Sequence, residues 1–365
     1  MAEWSGIVKT TAPKYLKNFE DNTLRGRKWL AALKSKGRIM YNKRGTSTKW
    51  QVQYKEPPVE DYADGGVVDY SRLDLWQQAE LDWRGYISKD AQTIKEELIN
   101  AAGDTQLINR YKEIVPNLAK AMSNRIGLEL YVDGNATGNQ NRFHGIESFM
   151  GYTAAGAANK IAQPNDTYAG LSTVLANYGG TWSDTVTTPP NSTLSNDYPF
   201  GQGDPQYDFW SPKLANYVGT DWTGTATWAS TCERVLREVS TWCKLLDGSG
   251  IDEFLLAQDL YTGYLNVQGT KQRILVGTGQ GGELGFDSSY TQEGVKLSTE
   301  YGITAGVGYG LTYSAMELDI LGSQMFEPRG PDYSPHTPGW LFFISCFGNM
   351  RFNPKGFAKL ANFTS

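Results

Sequence analysis

The sequence predicts an α+β protein that mixes strands and helices without a regular βαβ order. Apolar and polar residues alternate strictly over residues 49–55 and again over 80–84, which is typical of half-buried strands. Apolar residues recur at three- and four-residue spacing from Trp228 to Leu246, which is typical of a helix with one face in a core. Because strand and helix signals do not alternate along the chain, a doubly wound parallel sheet is disfavoured.

The composition supports a folded chain and excludes several classes of protein. The chain has 365 residues, enough for two or three domains of ordinary size. Its hydrophobic fraction is 40% and its aromatic fraction is 13%, so it can bury cores and is not disordered in composition. Two histidines and three cysteines exclude most zinc sites and any disulfide scaffold. Metalloenzymes and small secreted domains are therefore disfavoured.

Positive charge is concentrated at the start of the chain. The first 55 residues carry 13 Lys and Arg against three acids, whereas the other 310 residues carry 21 against 36. This asymmetry predicts an arm that binds nucleic acid, a membrane surface or the acidic body of another copy, with a plain solvated surface as the alternative. The first thirty residues lack the apolar stretch of a secretory signal, and no run approaches the ~20 apolar residues of a membrane span.

Residues 37–87 predict a long two-stranded excursion. Trp50, Val52 and Tyr54 share one face of its first strand, and residues 56–66 form a loop rich in Pro, Gly and acids. No helical pattern within the excursion covers the aromatic face. Because an isolated hairpin is marginally stable in water, we expect this face to need another surface, such as one on a neighbouring subunit.

Two helices are predicted after the hairpin. Ser88 can cap the first over residues 89–102. The second runs from about residue 105 to 130, and Pro116 should bend it because proline has no N–H for the helical ladder. Upstream, residues 24–33 predict one short helix. The second half of the chain predicts irregular loops over 151–225, a core helix over 228–246, a short helix over 259–267, and strands near 254–256, 274–276, 295–297 and 340–352.

No motif predicts catalysis. Residues 277–282 match the pattern G-x-G-x-x-G, but no helical periodicity follows that could aim amide groups at a pyrophosphate, so a flexible loop is favoured. His144 and His336 have no marked Ser or Cys partner, and a structural role is favoured for each. Paired carboxylates occur in several places without a distinguishing constellation. We therefore predict no catalytic, cofactor-binding or metal-binding residue.

The order of elements resembles that of the major capsid proteins of tailed bacteriophages, which have the Hong Kong 97-like coat protein fold. A basic arm and an extended hairpin are followed by a long helix that ends in Leu-Tyr-Val-Asp-Gly at residues 130–134. A turn rich in Gly and Asn then leads to Gly-Ile-Glu-Ser-Phe at residues 145–149. The apolar run over 340–347 and the residues up to 355 look like the strands that return from the axial to the peripheral domain of that family.

The resemblance implies a domain organisation. It comprises an N-terminal arm (residues 1–36), an extended β-hairpin loop (37–87), a peripheral domain with a long spine helix (88–150), an axial domain (151–325) and return strands to the peripheral domain (326–365).

The resemblance also implies a structural, non-enzymatic function. The chain would assemble into the hexamers and pentamers of the icosahedral head that encloses the double-stranded DNA of a tailed phage. It would assemble in the host cytoplasm and reside in the virion. The implied partners are other copies of the chain, a separate scaffold protein (or none, because the arm begins almost at Met1), portal and decoration proteins, and packaged DNA bound non-specifically by the arm. No membrane contact and no cofactor are implied.

On this basis we expect the hairpin to dock on the spine helix of an adjacent subunit through basic residues that meet acidic ones. The predicted intersubunit contacts are Lys43, Arg44, Lys49, Trp50, Val52, Tyr54, Glu96 and Glu97.

Two functions from other classes compete with this prediction. The 11 Trp, 21 Tyr and the Gly- and Thr-rich middle of the chain also suit a secreted carbohydrate-active or carbohydrate-binding protein. A tail-tube or decoration protein is a second alternative, although such proteins are usually shorter and lack the spine helix.

Overall fold

The computed structural model describes the larger part of the chain. The described residues are 27–53, 61, 65, 76–100, 110–153, 162, 164–173, 210–219, 222, 226–247, 250–271, 290–292, 294–334 and 339–363, apart from some side chains within them. The helices are α1 (Lys28–Ser35), α2 (Ile94–Asn100), α3 (Arg110–Glu129), α4 (Trp228–Asp247) and α5 (Gln258–Lys271). Short 3-10 turns occupy Ile146–Phe149, Tyr313–Ala315 and Pro354–Gly356.

Fifteen strands lie in the described part of the chain. They are β1 (Ile39–Met40), β2 (Ser47–Gln53), β3 (Trp76–Asp82), β4 (Arg84–Thr93), β5 (Thr167–Tyr168), β6 (Leu171–Ser172), β7 (Lys213–Asn216), β8 (Glu253–Leu256), β9 (Tyr290–Gln292), β10 (Val295–Thr299), β11 (Gly308–Leu311), β12 (Met316–Ile320), β13 (Glu327–Ser334), β14 (Gly339–Phe352) and β15 (Ala358–Ala361).

The long strand β14 organises a five-stranded sheet. β14 pairs antiparallel with β4, β12 and β13, and β1 adds to β12 in parallel. Side chains on a strand alternate between faces, and one face of β14 lies largely in the core. Its buried residues include Phe342, Ile344, Cys346, Met350 and Phe352. The predicted strand over 340–352 is confirmed. Helix α3 packs against this strand.

Helix α3 covers one face of this sheet and is hereafter the spine helix. Its buried side chains follow a four-residue spacing: Ile114, Leu118, Met122 and Ile126. This stripe is the apolar face that the sequence predicts, and it packs against β4 and β14. The helix continues through Pro116. Residues 101–109, where the prediction placed its start, lie outside the described residues.

The prediction of a helix over residues 89–102 is wrong in its first part. Residues up to Thr93 extend β4, where Thr93 pairs with Gly339 and Lys89 with Phe343. The helix begins only at Ile94. The pairing partner lies some 250 residues away in sequence, so a local pattern could not reveal it, and tertiary pairing overrides local helix propensity here.

A six-stranded sheet forms the second half of the molecule, in the order β7-β15-β11-β8-β10-β9. Helix α4 packs on it through Trp228, Cys232, Val235 and Val239, four of the residues whose spacing predicts a core-facing helix. The strand predicted at 254–256 and the one at 295–297 are confirmed as β8 and β10. The strand predicted at 274–276 lies outside the described residues.

The last strands of the chain divide between the two sheets. β14 lies in the five-stranded sheet. β15 pairs with β7 and β11 in the six-stranded sheet. The reason is a change of direction at Pro354–Gly356, after which the backbone N–H of Lys213 donates to the carbonyl of Phe357 at 3.0 Å. The assignment of residues 326–365 as return strands to a peripheral domain stays a prediction.

Helix α1 anchors the amino-terminal end of the described chain. Trp29 and Leu33 are fully buried, and the Trp29 Nε1–H donates to the carbonyl of Gly127 on the spine helix at 3.0 Å. The predicted helix over 24–33 is thus confirmed for residues 28–33, whereas residues 1–26 lie outside the described part.

Candidate intersubunit surface

The predicted hairpin is present as β2 and β3. The two strands pair antiparallel from Ser47 with Asp82 to Gln53 with Trp76. Strict alternation in residues 49–53 arises because successive side chains of β2 point to opposite faces. Tyr54 and most of residues 54–75, hereafter the hairpin tip, lie outside the described residues, except for the exposed Asp61 and Gly65.

The aromatic face of β2 is covered by the same chain, which corrects the expectation that it lacks a covering surface. The Trp50 ring centroid lies 6.5 Å from those of Tyr168 and of Trp210. The guanidinium carbon of Arg351 lies 5.5 Å from the centre of the Trp50 ring. Trp50 and Val52 are both half-buried against the main core. The covering residues come from β5 and from the segment before β7, which no local pattern connects with the hairpin.

Two of the basic contact candidates already have acidic partners within the chain. Lys43 Nζ lies 3.4 Å from Asp319 Oδ1, and Lys49 Nζ lies 3.0 Å from Glu80 Oε1. The Ser47 hydroxyl donates to Glu80 at 2.5 Å, and this bond, followed by Lys49, lowers the pKa of Glu80. Arg44 is exposed. Within the chain, the structure therefore brings Lys43 and Lys49 to acids on β12 and β3.

Asp319 is the buried acid at the root of the hairpin. It is fully buried, and the Thr48 hydroxyl donates to its Oδ2 at 2.7 Å. A buried carboxylate is costly unless hydrogen bonds and an opposite charge compensate it. Thr48 and Lys43 supply both, so they fix the hairpin to β12. Sequence analysis did not distinguish Asp319 from the other acids of the chain.

Glu96 has a local structural role at the start of α2. Its carboxylate accepts a hydrogen bond from the Thr93 backbone N–H at 3.2 Å, and its own N–H donates to the Thr93 hydroxyl at 3.3 Å. This reciprocal arrangement is a capping box, which satisfies two backbone donors at a helix start. The side chain of Glu97 lies outside the described residues.

The two segments that carry the family resemblance, residues 130–134 and 145–149, are hydrogen-bonded to each other just after the spine helix ends. The Ile146 N–H donates to the Leu130 carbonyl at 2.7 Å, and the Gly145 N–H donates to the Val132 carbonyl at 3.0 Å. These bonds hold the chain after the helix against residues 145 and 146, and the first of them satisfies the carbonyl at the end of the helix. A Cβ at position 145 would come within 2.5 Å of the Leu130 oxygen and 2.6 Å of the Val132 oxygen, so glycine is required there.

Arg84, which sequence reasoning missed, fixes the turn between these two segments. Its Nη1 donates to the carbonyls of Gly134 at 2.9 Å and Arg142 at 2.5 Å. Burial lowers the pKa of the Arg84 guanidinium. Nearby, the fully buried carboxylate of Glu129 accepts from Arg142 Nε and Nη2, each at 3.1 Å. The position of Arg84 at the start of β4 gives no local signal of this long-range role.

A buried ion pair joins α1, the spine helix and the end of β10. Arg27 Nη1 donates to the Tyr301 carbonyl at 2.6 Å and lies 3.6 Å from Glu300 Oε1. The Lys28 N–H donates to Glu300 Oε2 at 3.1 Å. Burial raises the pKa of Glu300 to about 7. The arrangement joins the two halves of the molecule through the Glu300 carboxyl, whose ionised form is disfavoured by burial.

Of the two histidines considered for catalysis, His144 lies in the described part of the chain. His144 is buried, with Nδ1 3.3 Å from the Ser148 hydroxyl, and burial, assisted by Arg84, lowers its pKa to about 3. Burial raises the pKa of the Cys346 thiol to about 12. The glycine-rich residues 277–282 and His336 lie outside the described residues. Among the residues that the structure describes, no group of three His, Cys, Asp or Glu could hold a metal ion.

None of the described helices combines the length and the apolar character needed to cross a bilayer. The three cysteines, Cys232, Cys243 and Cys346, are buried and form no disulfide.

Comparison with solved structures identifies the fold. The capsid asymmetric unit of cyanophage A-1(L) matches with a TM-score of 0.58 and 13% identity, over 96% of each chain. A structure from Microbacterium phage Oxtober96 matches with a TM-score of 0.54 and 9% identity, over 95% of this chain and 94% of that one. The capsid of the native GTA particle matches with a TM-score of 0.50 and 8% identity, over 95% of each chain.

Comparison by sequence gives no further match. No protein-family model and no curated protein matches the sequence. The structural matches span nearly the whole chain, and so take in the hairpin, the spine helix and both sheets. The chain therefore has the α+β fold of tailed-phage capsid proteins, as the order of its elements predicted.

Proposed function

We propose that this chain is the major capsid protein of a tailed phage. It assembles into hexamers and pentamers that form the icosahedral head around double-stranded DNA. The observation that carries the proposal is the likeness of the whole chain to the cyanophage A-1(L) capsid subunit, at a TM-score of 0.58 over 96% of both chains. Fold alone does not determine function. The extended hairpin and the basic start of the chain are features that suit assembly better than catalysis.

The physical basis of assembly is the sum of many modest contacts. A shell must join many copies, and contacts that act together give high avidity even when each is weak. An extended hairpin reaches across a neighbour and buries area that a compact body cannot reach. The hairpin here is held rigidly at its root by Thr48 and Asp319, which suits it to present its far end to another copy.

We place the hairpin contacts at its exposed positions. Arg44 and Lys49 are exposed, and the outer edges of Trp50 and Val52 keep part of their area in solvent. Tyr54 and Glu97 remain contact candidates on sequence grounds, and Lys43 and Glu96 contribute to the same surface while keeping their partners within the chain.

The domain organisation and partners follow the same proposal. The five-stranded sheet with the spine helix corresponds to the peripheral domain, and the six-stranded sheet to the axial domain. Arg27, Lys43 and Lys49 pair with acids of the same chain, so the basic residues of positions 1–26 face either the packaged DNA or an acidic neighbour. A separate scaffold protein, a portal and decoration proteins are the further partners, with assembly in the host cytoplasm and residence in the virion.

Electron microscopy of the expressed full chain tests the proposal. We expect closed shells or hexameric capsomers; monomers at high concentration or tubes would contradict it. The informative variant replaces residues 54–75 with an Asn-Gly turn, which suits a two-residue hairpin loop. This variant keeps Trp50 on its intrachain partners, so it should yield folded capsomers that do not close into shells. Normal shells from it would show that the hairpin tip is dispensable.

The direction in which the basic residues face is testable in the particles themselves. Maps of empty and DNA-filled particles should show the same order in residues 1–26 if these residues contact protein. Order that appears only in filled particles would instead assign them to DNA.

A further inference from the structure

The positive charge at the start of the chain is unevenly distributed. Residues 1–26 carry four Lys and Arg against three acids, whereas residues 27–55 carry nine and no acid. Five of those nine form ion pairs with acids elsewhere in the chain, namely Arg27, Lys36, Arg38, Lys43 and Lys49. Much of the excess charge is therefore compensated within the subunit, and the remaining cations mark the places where a surplus persists.

Helix α1 carries two of the remaining cations. Lys28 and Lys34 are exposed, and the described part of the chain offers neither side chain an acidic partner. The sequence of α1 contains no acid, and its other exposed residues, Ala31 and Ser35, are neutral. Lys28 occupies the first position of the helix, where the helix dipole disfavours a cation, so helix stability does not explain its presence. The exposed face of α1 is thus a small surface of uncompensated positive charge.

The buried face of α1 holds these two lysines in a fixed position. Trp29 is fully buried, and its indole N–H donates to the Gly127 carbonyl of the spine helix at 3.0 Å. At the start of α1, Glu300 accepts from the Lys28 backbone N–H at 3.1 Å. Six residues of helix place Lys28 and Lys34 roughly 9 Å apart along the helix axis. A fixed pair of cations at such a separation suits a ligand whose negative charges repeat along its length.

The spine helix, on which α1 packs, adds no exposed acid among its described side chains. The carboxylate of Glu129 is fully buried. It pairs with Arg125 at 2.9 Å and with Arg142 at 3.1 Å, so two guanidinium groups share one negative charge. The Arg125 side chain keeps 47% of its area in solvent. Within the part of the chain that the structure describes, the two helices therefore present a basic layer.

We propose that the exposed face of α1 contacts the phosphates of packaged double-stranded DNA through Lys28 and Lys34. This inference rests on the proposed capsid function, and it extends the DNA contact from residues 1–26 to a helix on the body of the subunit. Duplex DNA carries one negative charge per roughly 1.7 Å of its axis, and lysines bind these phosphates without reading the sequence. Because a shell would repeat this pair of lysines in every subunit, weak contacts with one long polyanion add up.

The composition of the α1 surface favours DNA over an acidic protein partner. Protein interfaces are centred on aromatic or large apolar side chains and are depleted in lysine. The structure describes every side chain of α1, and none of its exposed ones is aromatic or a large apolar residue. Exposed lysines among small neutral residues are instead what contact with a phosphate backbone requires.

Binding of a short fluorescein-labelled duplex to the full chain tests the proposal, with fluorescence anisotropy measured over a series of salt concentrations. The variant Lys28→Gln with Lys34→Gln should bind about tenfold more weakly at low salt. Its plot of log binding constant against log salt should be shallower by about 1.8 for each bound subunit. The control, Lys89→Gln with Lys296→Gln, makes the same charge change at exposed positions on β4 and β10 and should bind like the wild type. Equal losses in the two variants, or no binding by the wild type, would overturn the proposal.

Folding and assembly of the same variants separate DNA contact from contact with a neighbouring subunit. Lys28→Arg with Lys34→Arg keeps both charges and should bind within about twofold of the wild type. The glutamine variant should unfold at the wild-type temperature and form shells in wild-type yield. A glutamine variant that is folded but does not assemble would assign this face to an acidic neighbour and overturn the proposal. Wild-type chains that form no assembly would overturn the proposed function instead.

Amine acetylation of particles, quantified by mass spectrometry, supplies the second test. Lys28 and Lys34 should react several-fold more slowly in DNA-filled particles than in empty ones. Lys89 is the internal control, since its rate should be the same in both kinds of particle. Protection of the α1 lysines to the same extent in filled and empty particles would assign them to a protein contact and overturn the proposal. Full reactivity of both lysines in filled particles would also contradict it.

Discussion

Gly145 lies so close to Leu130 that a Cβ on the glycine would come within 2.5 Å of the leucine carbonyl oxygen. The turn after the spine helix can therefore form only if position 145 has no side chain. This relationship gives a physical reason for a glycine that the sequence marks only as part of a short motif.

We expect Gly145→Ala to destabilise the chain by about 3 kcal/mol, because backbone atoms cannot yield as a flexible side chain can. Urea unfolding followed by circular dichroism measures the change. Gly269→Ala is the matched control, since a Cβ there meets nothing within 4 Å. That variant should be neutral or more stable by up to ~1 kcal/mol, as expected for Gly to Ala inside a helix. Equal stability of the two variants would contradict the crowding argument.

Thr48→Val should loosen the root of the hairpin. The substitution removes the hydroxyl that donates to the buried Asp319 at 2.7 Å and leaves that carboxylate with Lys43 alone. A buried acceptor that loses its donor costs about 1–3 kcal/mol. Hydrogen exchange of the β2 and β3 amides should become faster in Thr48→Val than in the conservative control Thr48→Ser. Similar exchange in both variants would show that the hydroxyl does not hold the hairpin.

Glu96 allows its capping role to be separated from an intersubunit ion pair. Glu96→Gln keeps an oxygen for the Thr93 N–H, so its stability should stay within about 0.5 kcal/mol of the wild type, whereas Glu96→Ala should lose about 1 kcal/mol. Both can be measured by thermal unfolding. A large loss of shell formation in Glu96→Gln, with stability retained, would indicate that the charge is used between subunits.

The buried ion pair at Glu300 predicts a pH dependence of stability. Burial raises the pKa of this carboxyl to about 7 from the usual 4.5, so the folded state favours its protonated form. Its contribution is fully present below pH 4.5 and is lost as the pH rises through 7. Asp166, whose pKa burial raises to about 6, acts in the same direction.

Stability should therefore fall between pH 5.5 and pH 8, by about 2 kcal/mol for Glu300. Urea midpoints at the two pH values should differ less in Glu300→Gln than in the wild type, and least in the double variant with Asp166→Asn. An unchanged pH slope in Glu300→Gln would mean that this carboxyl titrates as an ordinary exposed one.

Local periodicity predicted the elements whose stabilising contacts follow the chain. Two examples are the buried stripe of α4 from Trp228 to Val239 and the alternation in β2. Each pattern depends only on residues that are close together in the sequence, so the sequence alone is enough to identify it. The extension of β4 to Thr93 could not be predicted, because its partner is Gly339. The apolar face of Trp50 could not be placed for the same reason, since Tyr168 and Trp210 are more than 100 residues away.

The charges of the candidate surface were the least predictable feature. Counting residues identifies a basic region, but it does not say that Lys43 and Lys49 find acids within the chain. Pairing of this kind depends on side-chain positions that the fold alone sets. The same holds for Arg84, whose hydrogen bonds reach carbonyls about 50 residues further on.

The passage from β14 to β15 has a mechanical consequence. Only residues 353–357 separate the end of β14 from the start of β15. This connection spans roughly 20 Å when fully extended. It is shortened further because the Asn353 N–H donates to the Ala315 carbonyl at 2.8 Å. The two halves of the subunit are therefore held close together at this point, and a rotation of one half against the other would pivot about this short connection.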